Sequence, residues 1–188
     1  MKQAKTLNER ELKTVLAICA TRRYAERDRV IVLMSFYAGL RAKEIAALTI
    51  GNVIGDDGSI RSECVLAAQQ TKGRSARRIF FNSKLRRELV AYLKTLNDME
   101  RSISLFQTQK RTAFTANSMC HLFIDIYRSV GIAGASSHSG RRSLLTSLAS
   151  KGVSVRVLQE VAGHSSIAVT QKYIDVNDQQ IQTALEMV

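Results

Sequence analysis

The stretch HSGRRSLLTSLASKGVSVRVLQEVAGHSSIAVTQKY, residues 138–173, carries two apolar-periodic segments, a glycine stop and the last tyrosine of the chain. Its spacing predicts a helix over 141–151, a second over 155–161 closed by Gly163, and a short third over 169–173. Leu144, Leu145 and Leu148 would anchor the first helix in a core. His138 stands three residues before Arg141, where that helix begins. An imidazole and a guanidinium would then share one side of a helix N-terminus, which favours anions. A capping histidine beside a surface arginine satisfies the same spacing. Tyr173 is either a packing residue or a nucleophile, and only the rest of the chain separates the two.

Working outward, the texture is mainly helical. TLNERELKTVLAICA has a capping-box pattern, with Thr6 or Asn8 as cap and Glu9 or Glu11 three residues on. ERDRVIVLMSFYAGL is apolar on all sides after Arg29, so it predicts a buried helix ended by Gly39. RAKEIAAL starts a short helix. Between Thr49 and Phe81 the pattern changes to strands: TIGNVIGDDGSI with an Asp-Gly turn, then ECVLAAQQ, then ARRIFF, the last two joined by TKGRS. Helices follow over 84–96 and 118–130, and a last one from about 177 to the end. Tyr24, Tyr37, Tyr92 and Tyr127 fall inside these helices as packing residues, and His121 reads as a structural histidine. The expected fold class is mainly α with a small antiparallel β-sheet (α+β).

With 188 residues, the chain suits one ordinary domain. A 45% hydrophobic content without a long polar tract indicates a folded chain. No apolar run reaches membrane-spanning length. The N-terminal MKQAKTLNERELKT lacks the apolar centre and cleavage site of a signal peptide. Cys19, Cys64 and Cys120 are far apart and lack metal-ligand spacing, which suits reduced cysteines in the cytoplasm. Lys plus Arg number 28 against 16 Asp plus Glu, a net charge of +12, the electrostatic footprint expected of a nucleic-acid binder, with a generic basic surface as the alternative. The basic residues are scattered, with no basic amphipathic helix for a membrane surface.

Three further features carry chemistry. Arg41 follows a helix-ending glycine, with Glu44 one turn along the same face. Its planar fork suits a phosphate, although a surface Arg–Glu pair is the ordinary alternative. Lys72 lies at the mouth of the predicted hairpin, near Arg74, Arg77 and Arg78. It could enter a DNA groove or protonate a leaving alkoxide, or it could belong to a solvated turn. Gly163 and His164 precede Tyr173, with eight residues between the histidine and the tyrosine.

In order and spacing, Arg41, Lys72, His138-x-x-Arg141, Gly163-His164 and Tyr173 resemble the tyrosine recombinase (phage integrase) family. AGLRAKEIAALT is similar to its first arginine box, HSGRRS to its His-x-x-Arg box, and LQEVAGHSSIAVTQKYIDV to the segment ending in its nucleophile. The resemblance runs from about Thr6 to Val176 and implies the catalytic-domain fold of that family. It also implies a site-specific recombinase that needs neither metal, cofactor nor ATP. Tyr173 would form a 3′-phosphotyrosyl link and release a 5′-hydroxyl. Arg41 and Arg141 would clamp the non-bridging oxygens, Lys72 would be the general acid, His138 would accept the tyrosine proton, and His164 would hydrogen-bond the phosphate. Glu44 would support the site, and Lys43, Arg74, Arg77 and Arg142 would contact DNA.

Gly140 departs from the family pattern, where leucine is common, and is expected to loosen local packing. The resemblance divides the chain into a catalytic domain over 1–176 and a C-terminal helix over 177–188. The N-terminal domain usual in the family is expected to be absent, as in a single-domain member or a piece of a longer protein. Ile181, Ala184, Leu185 and Val188 form an apolar stripe. In the family such tails dock on a neighbouring subunit of a tetramer on DNA; packing on the chain's own domain is the alternative. The implied partners are double-stranded DNA with a specific site, other copies of the chain and DNA-bending accessory proteins. A monomer in solution, located in the cytoplasm with the nucleoid, fits the same picture. A type IB topoisomerase and a non-catalytic DNA-binding module are the alternative classes.

Overall fold

In the computed structural model, the described residues are 3–71, 75–174, and 182, 185 and 186 of the tail. The order is α1 (Glu9–Ala20), α2 (Ala25–Ala38), α3 (Ala42–Ala46), α4 (Ile50–Val53), β1 (Glu63–Leu66), β2 (Arg77–Phe80), α5 (Ser83–Leu93), α6 (Ala116–Ser129), α7 (Ser139–Ser150), α8 (Val155–Ala162) and α9 (Ile167–Gln171). Helix α2 is the centre. Val30 through Met34 are 0–1% exposed, and α1, α5 and α7 pack around it. A helix apolar on every side has no solvent face, so its sequence requires this central place. It starts after Tyr24, which lies outside the helix and carries the Arg27 guanidinium 4.2 Å from its ring centre. It ends at Gly39, left-handed at φ 62°. A second, smaller core of Leu145, Ala149, Leu158 and Ala162 holds α7 against α8 and lies against Tyr173 and Ile174.

The α1 capping box forms between Asn8 and Glu11: Asn8 Oδ1 accepts from Glu11 N at 2.8 Å, and Glu11 Oε2 accepts from Asn8 N at 3.0 Å. The sheet differs from expectation. Two antiparallel strands form, with register Glu63↔Phe80, Cys64↔Ile79, Val65↔Arg78 and Leu66↔Arg77. The stretch expected to be a first strand instead begins as helix α4. Asn52 Oδ1 accepts from Thr49 N at 2.9 Å, and this local bond gives the backbone a helical start that competes with a ladder. The Asp-Gly turn after it is present: Asp57 accepts from Ser59 N, and Gly58 takes φ 77°. His121 lies on the exposed side of α6.

Gly140 tightens packing rather than loosening it. A Cβ there would stand 2.7 Å from Phe36 Cδ2 and 2.7 Å from Ser35 Oγ. The missing side chain lets α7 lie directly on α2, and Ser35 Oγ accepts from Arg141 N at 3.1 Å. Alanine would favour helix by about 1 kcal/mol but would overpack this contact by about 1–3 kcal/mol. Gly140→Ala is therefore expected to lower stability in urea unfolding. A neutral or stabilising result would show that the helices separate freely.

Candidate active site

Helix α8 stops at Gly163 in the left-handed conformation, φ 57°. Carbonyls in the last turn of a helix lack helical donors and carry the negative end of its dipole. Three in succession are satisfied by three arginines from three other elements. Arg77 Nη2 donates to Val161 O at 2.7 Å, Arg141 Nη2 to Ala162 O in a short bond, and Arg41 Nη2 to Gly163 O at 3.2 Å. Arg141 also donates from Nη1 to Gly39 O at 2.6 Å, joining the ends of α2 and α8.

Glu44, with 0% side-chain exposure, is the anion of the cluster. Its Oε1 accepts from Arg41 Nη1 at 2.7 Å, and its Oε2 accepts from Arg41 N at 2.8 Å and Arg77 Nη1 at 3.0 Å. Burial alone would raise its carboxyl, but Arg77 and Arg41 outweigh burial and hold it below the ordinary value. The i,i+3 spacing thus produces a buried pair rather than a surface one. Arg141 is only 3% exposed, and among the described residues no carboxylate pairs with it. Burial first, then Arg41 and Arg77, lowers it to about 9, so it is still a cation at neutral pH. Two of its five N–H groups bond the carbonyls of Gly39 and Ala162, which leaves donors for an anion.

His164 follows the glycine cap. Gln159 fixes its backbone at both ends: His164 N donates to Gln159 O at 3.2 Å, and Gln159 Nε2 donates to His164 O at 3.0 Å. Its Nδ1 lies 2.9 Å from Thr170 Oγ1. Burial and the three arginines lower its imidazole to about 4, so it is neutral at pH 7. The Tyr173 ring stacks on it, with centroids 5.9 Å apart and planes at 21°. Beside them opens a cleft of about 900 Å³, lined by Arg41, Arg78, Phe80, His164 and Ser165 among others. The structure thus brings together Arg41, Glu44, Arg141, His164 and Tyr173. His138 sits exposed at the N-cap of α7. Lys72 and Arg74 lie outside the described residues, as do Ile181, Ala184 and Val188 of the tail stripe.

Two residues expected to contact DNA make hydrogen bonds within the chain. Arg77 opposes Leu66 and follows the inward parity of Ile79, so its side chain is 9% exposed and committed to Glu44 and Val161. Arg142 Nη1 donates to Ala4 O at 3.0 Å and ties down the N-terminal segment. Lys43 is exposed, but its ammonium donates to Thr71 O at 2.9 Å, beside the hairpin loop. Arg77 was discoverable from strand alternation. Thr170 carried no signal, since a threonine in a short helix looks ordinary. Among the described residues no group of three or more His, Cys, Asp or Glu could hold a metal, and no helix is long and apolar enough to cross a membrane.

Glu44→Gln breaks a buried pair and is expected to cost about 3–5 kcal/mol at pH 7. A carboxyl held low in the folded state stabilises above its unfolded value of about 4.3. That contribution is lost as pH falls through the lower folded value. Denaturant unfolding should therefore show the wild-type advantage shrinking below about pH 4. An equal advantage at acid and neutral pH would contradict the ion pair.

Comparison with known proteins points to one family. The tyrosine recombinase XerA of Thermococcus kodakarensis is 28% identical over 182 residues, covering 97% of this chain and 62% of the relative. XerC of Treponema denticola is 27% identical over 172 residues, covering 83% of this chain and 54% of the relative. The chain spans roughly three-fifths of the length of such relatives. The fold matches the crystal structure of XerA recombinase with a TM-score of 0.76 at 23% identity, over 99% of this chain and 66% of that one. It matches XerH recombinase bound to its difH substrate with a TM-score of 0.70 at 21% identity, over 98% and 54%. The catalytic domain of bacteriophage HP1 integrase matches with a TM-score of 0.68 at 20% identity, over 98% of this chain and 95% of the domain. The fold is thus that of a tyrosine recombinase catalytic domain. A model described as the phage integrase family matches residues 5–180, a span that includes every member of the arginine cluster, and the chain belongs to that family.

Proposed function

We propose that this chain cuts and rejoins DNA at a specific site through a covalent phosphotyrosine. The observation that carries this reading is the convergence of three guanidiniums and a neutral histidine on the end of α8, with Tyr173 stacked beside them. Arg41, Arg77 and Arg141 supply three positive charges and Glu44 removes one, leaving a surplus of two. A phosphodiester carries one negative charge, and its pentavalent transition state gathers a second. The cluster therefore matches the transition state better than the ground state, which is the condition for rate acceleration.

In the proposed reaction, Tyr173 Oη attacks phosphorus in line. A P–Oη bond forms, the P–O5′ bond breaks, and the 3′ side stays on the enzyme. His138 accepts the phenolic proton, and Lys72 protonates the departing 5′-oxygen. Arg41 and Arg141 clamp the non-bridging oxygens, and His164 donates a hydrogen bond to one of them. Glu44 and Arg77 hold Arg41 in place from behind. Attack by another 5′-hydroxyl reverses the step and exchanges strands, with the bond energy conserved in the phosphotyrosine.

The net charge of +12 supports a DNA partner, as does the likeness to XerH bound to difH. The resemblance further suggests a tetramer on DNA, DNA-bending accessory proteins and a cytoplasmic, nucleoid-associated location. It also suggests that residues 1–176 form the catalytic unit and 177–188 the docking tail.

The test uses a randomised pool of nicked duplexes, so that the 5′ product diffuses away after cleavage. Wild type should form a protein–DNA adduct that survives denaturing electrophoresis. Tyr173→Phe should bind the pool and form none. An adduct from the Phe variant would assign the nucleophile elsewhere, and binding without any adduct would favour a DNA-binding module. Binding should also weaken by orders of magnitude between about 50 and 200 mM salt; salt-independent binding would contradict a phosphate-clamping surface.

A further inference from the structure

Thr170 has no part in the chemistry described so far, yet its hydroxyl is placed against the ring of His164. Thr170 is fully buried, with 0% exposure, on the short helix α9. Its hydroxyl has one hydrogen-bond partner among the described residues, His164 Nδ1 at 2.9 Å. A buried hydroxyl that donates to nothing is costly, so its proton belongs in the bond it makes. We propose that Thr170 donates to His164 Nδ1 and so fixes the imidazole as the Nε2–H tautomer, making Thr170 a positioning residue that keeps a hydrogen-bond donor aimed at the scissile phosphate.

The geometry requires this direction of donation. If Nδ1 carried the proton, Thr170 Oγ1 would accept and its own O–H would be stranded in the interior. The opposite face of the ring would then present a lone pair to an anion. With Nδ1 as acceptor, both groups are satisfied and Nε2–H is left to donate. The surroundings keep the ring neutral: Arg141, Arg41 and Arg77 oppose a further positive charge, and Glu44 is already taken up by two of them. Glu160 lines the same cleft, and Tyr173 stacks on the ring face. A neutral imidazole can donate from only one nitrogen, so its tautomer decides whether the group attracts or repels a phosphate oxygen. Gln159 holds the backbone and Thr170 holds the ring, and together they leave His164 one orientation and one proton position.

The chemical consequence rests on the recombinase reading; the tautomer itself does not. Long-range proton–nitrogen NMR of the wild-type chain, with the ring assigned by comparison with His164→Gln, reads the tautomer directly. The expected spectrum has Nδ1 in the unprotonated range and Nε2 in the protonated range at neutral pH. A protonated Nδ1, or an even mixture, overturns the proposal. In the adduct assay on the pool of nicked duplexes, Thr170→Val should cut the rate by about 10²-fold, as for loss of one transition-state donor. Thr170→Ser, which keeps the hydroxyl, should stay within a few-fold of wild type. A valine variant at wild-type rate, or a serine variant as slow as the valine one, contradicts the role. Should the valine variant not fold, the wild-type ring spectrum and the serine variant still decide. If wild type forms no adduct, the recombinase reading fails while the spectrum still judges the tautomer.

Discussion

The end of α8 leaves the carbonyls of Val161, Ala162 and Gly163 without helical donors, and each takes a hydrogen bond from a different arginine. That contact draws four regions of the chain to one point. Arg41 brings the start of α3, Arg77 the start of β2, Arg141 the first turn of α7, and the Arg141 bond to Gly39 adds the end of α2. Gly163 is required twice over. Its φ of 57° suits glycine, and a Cβ there would come within 2.5 Å of Arg77 Cδ. Three guanidiniums this close repel one another, and one buried carboxylate offsets only part of that. The excess positive charge is held by backbone dipoles and by packing, which is the preorganisation that the proposed phosphate site would need.

This preorganisation explains the division of labour around the site. Arg141 is fixed by two carbonyls and keeps donors to spare. His164 is kept neutral, so on the proposed reading it would act through a hydrogen bond rather than a charge. Tyr173 lies against the small core of α7 and α8, separate from the main core around α2. The three arginines are thus rooted across the whole fold, whereas Tyr173 follows directly on the short helix α9 beside them.

Much of this was legible in the amino-acid sequence. The all-apolar run of α2, the glycine stops at Gly39 and Gly163, the Asn8 capping box and the Arg41–Glu44 pair follow from local rules, and all form in the structure. The failures have physical reasons. Thr49 and Asn52 bond locally and turn an expected strand into α4. Arg77 reads as a DNA contact in the strand beside the basic hairpin loop, but parity with Ile79 turns its side chain inward to Glu44. Gly140 suggested slack, yet its missing side chain is what lets α7 meet α2. Asp28, buried with Arg22 and Arg27 at the start of α2, gave no local signal because its partners are fixed only by tertiary packing. The candidate site was readable as an ordered set of residue types; its charge balance and carbonyl anchoring needed the fold.

On the proposed reading, the arginine cluster at the end of α8 holds a phosphoryl group within reach of Tyr173. A crystal structure of the chain with orthovanadate, which adopts the geometry of pentavalent phosphorus, tests it directly. Vanadium should be bonded to Tyr173 Oη, with its equatorial oxygens accepting from Arg41, Arg141 and His164 Nε2. Vanadate seated elsewhere on the basic surface, or held by the arginines with the Tyr173 oxygen out of bonding reach, would contradict it.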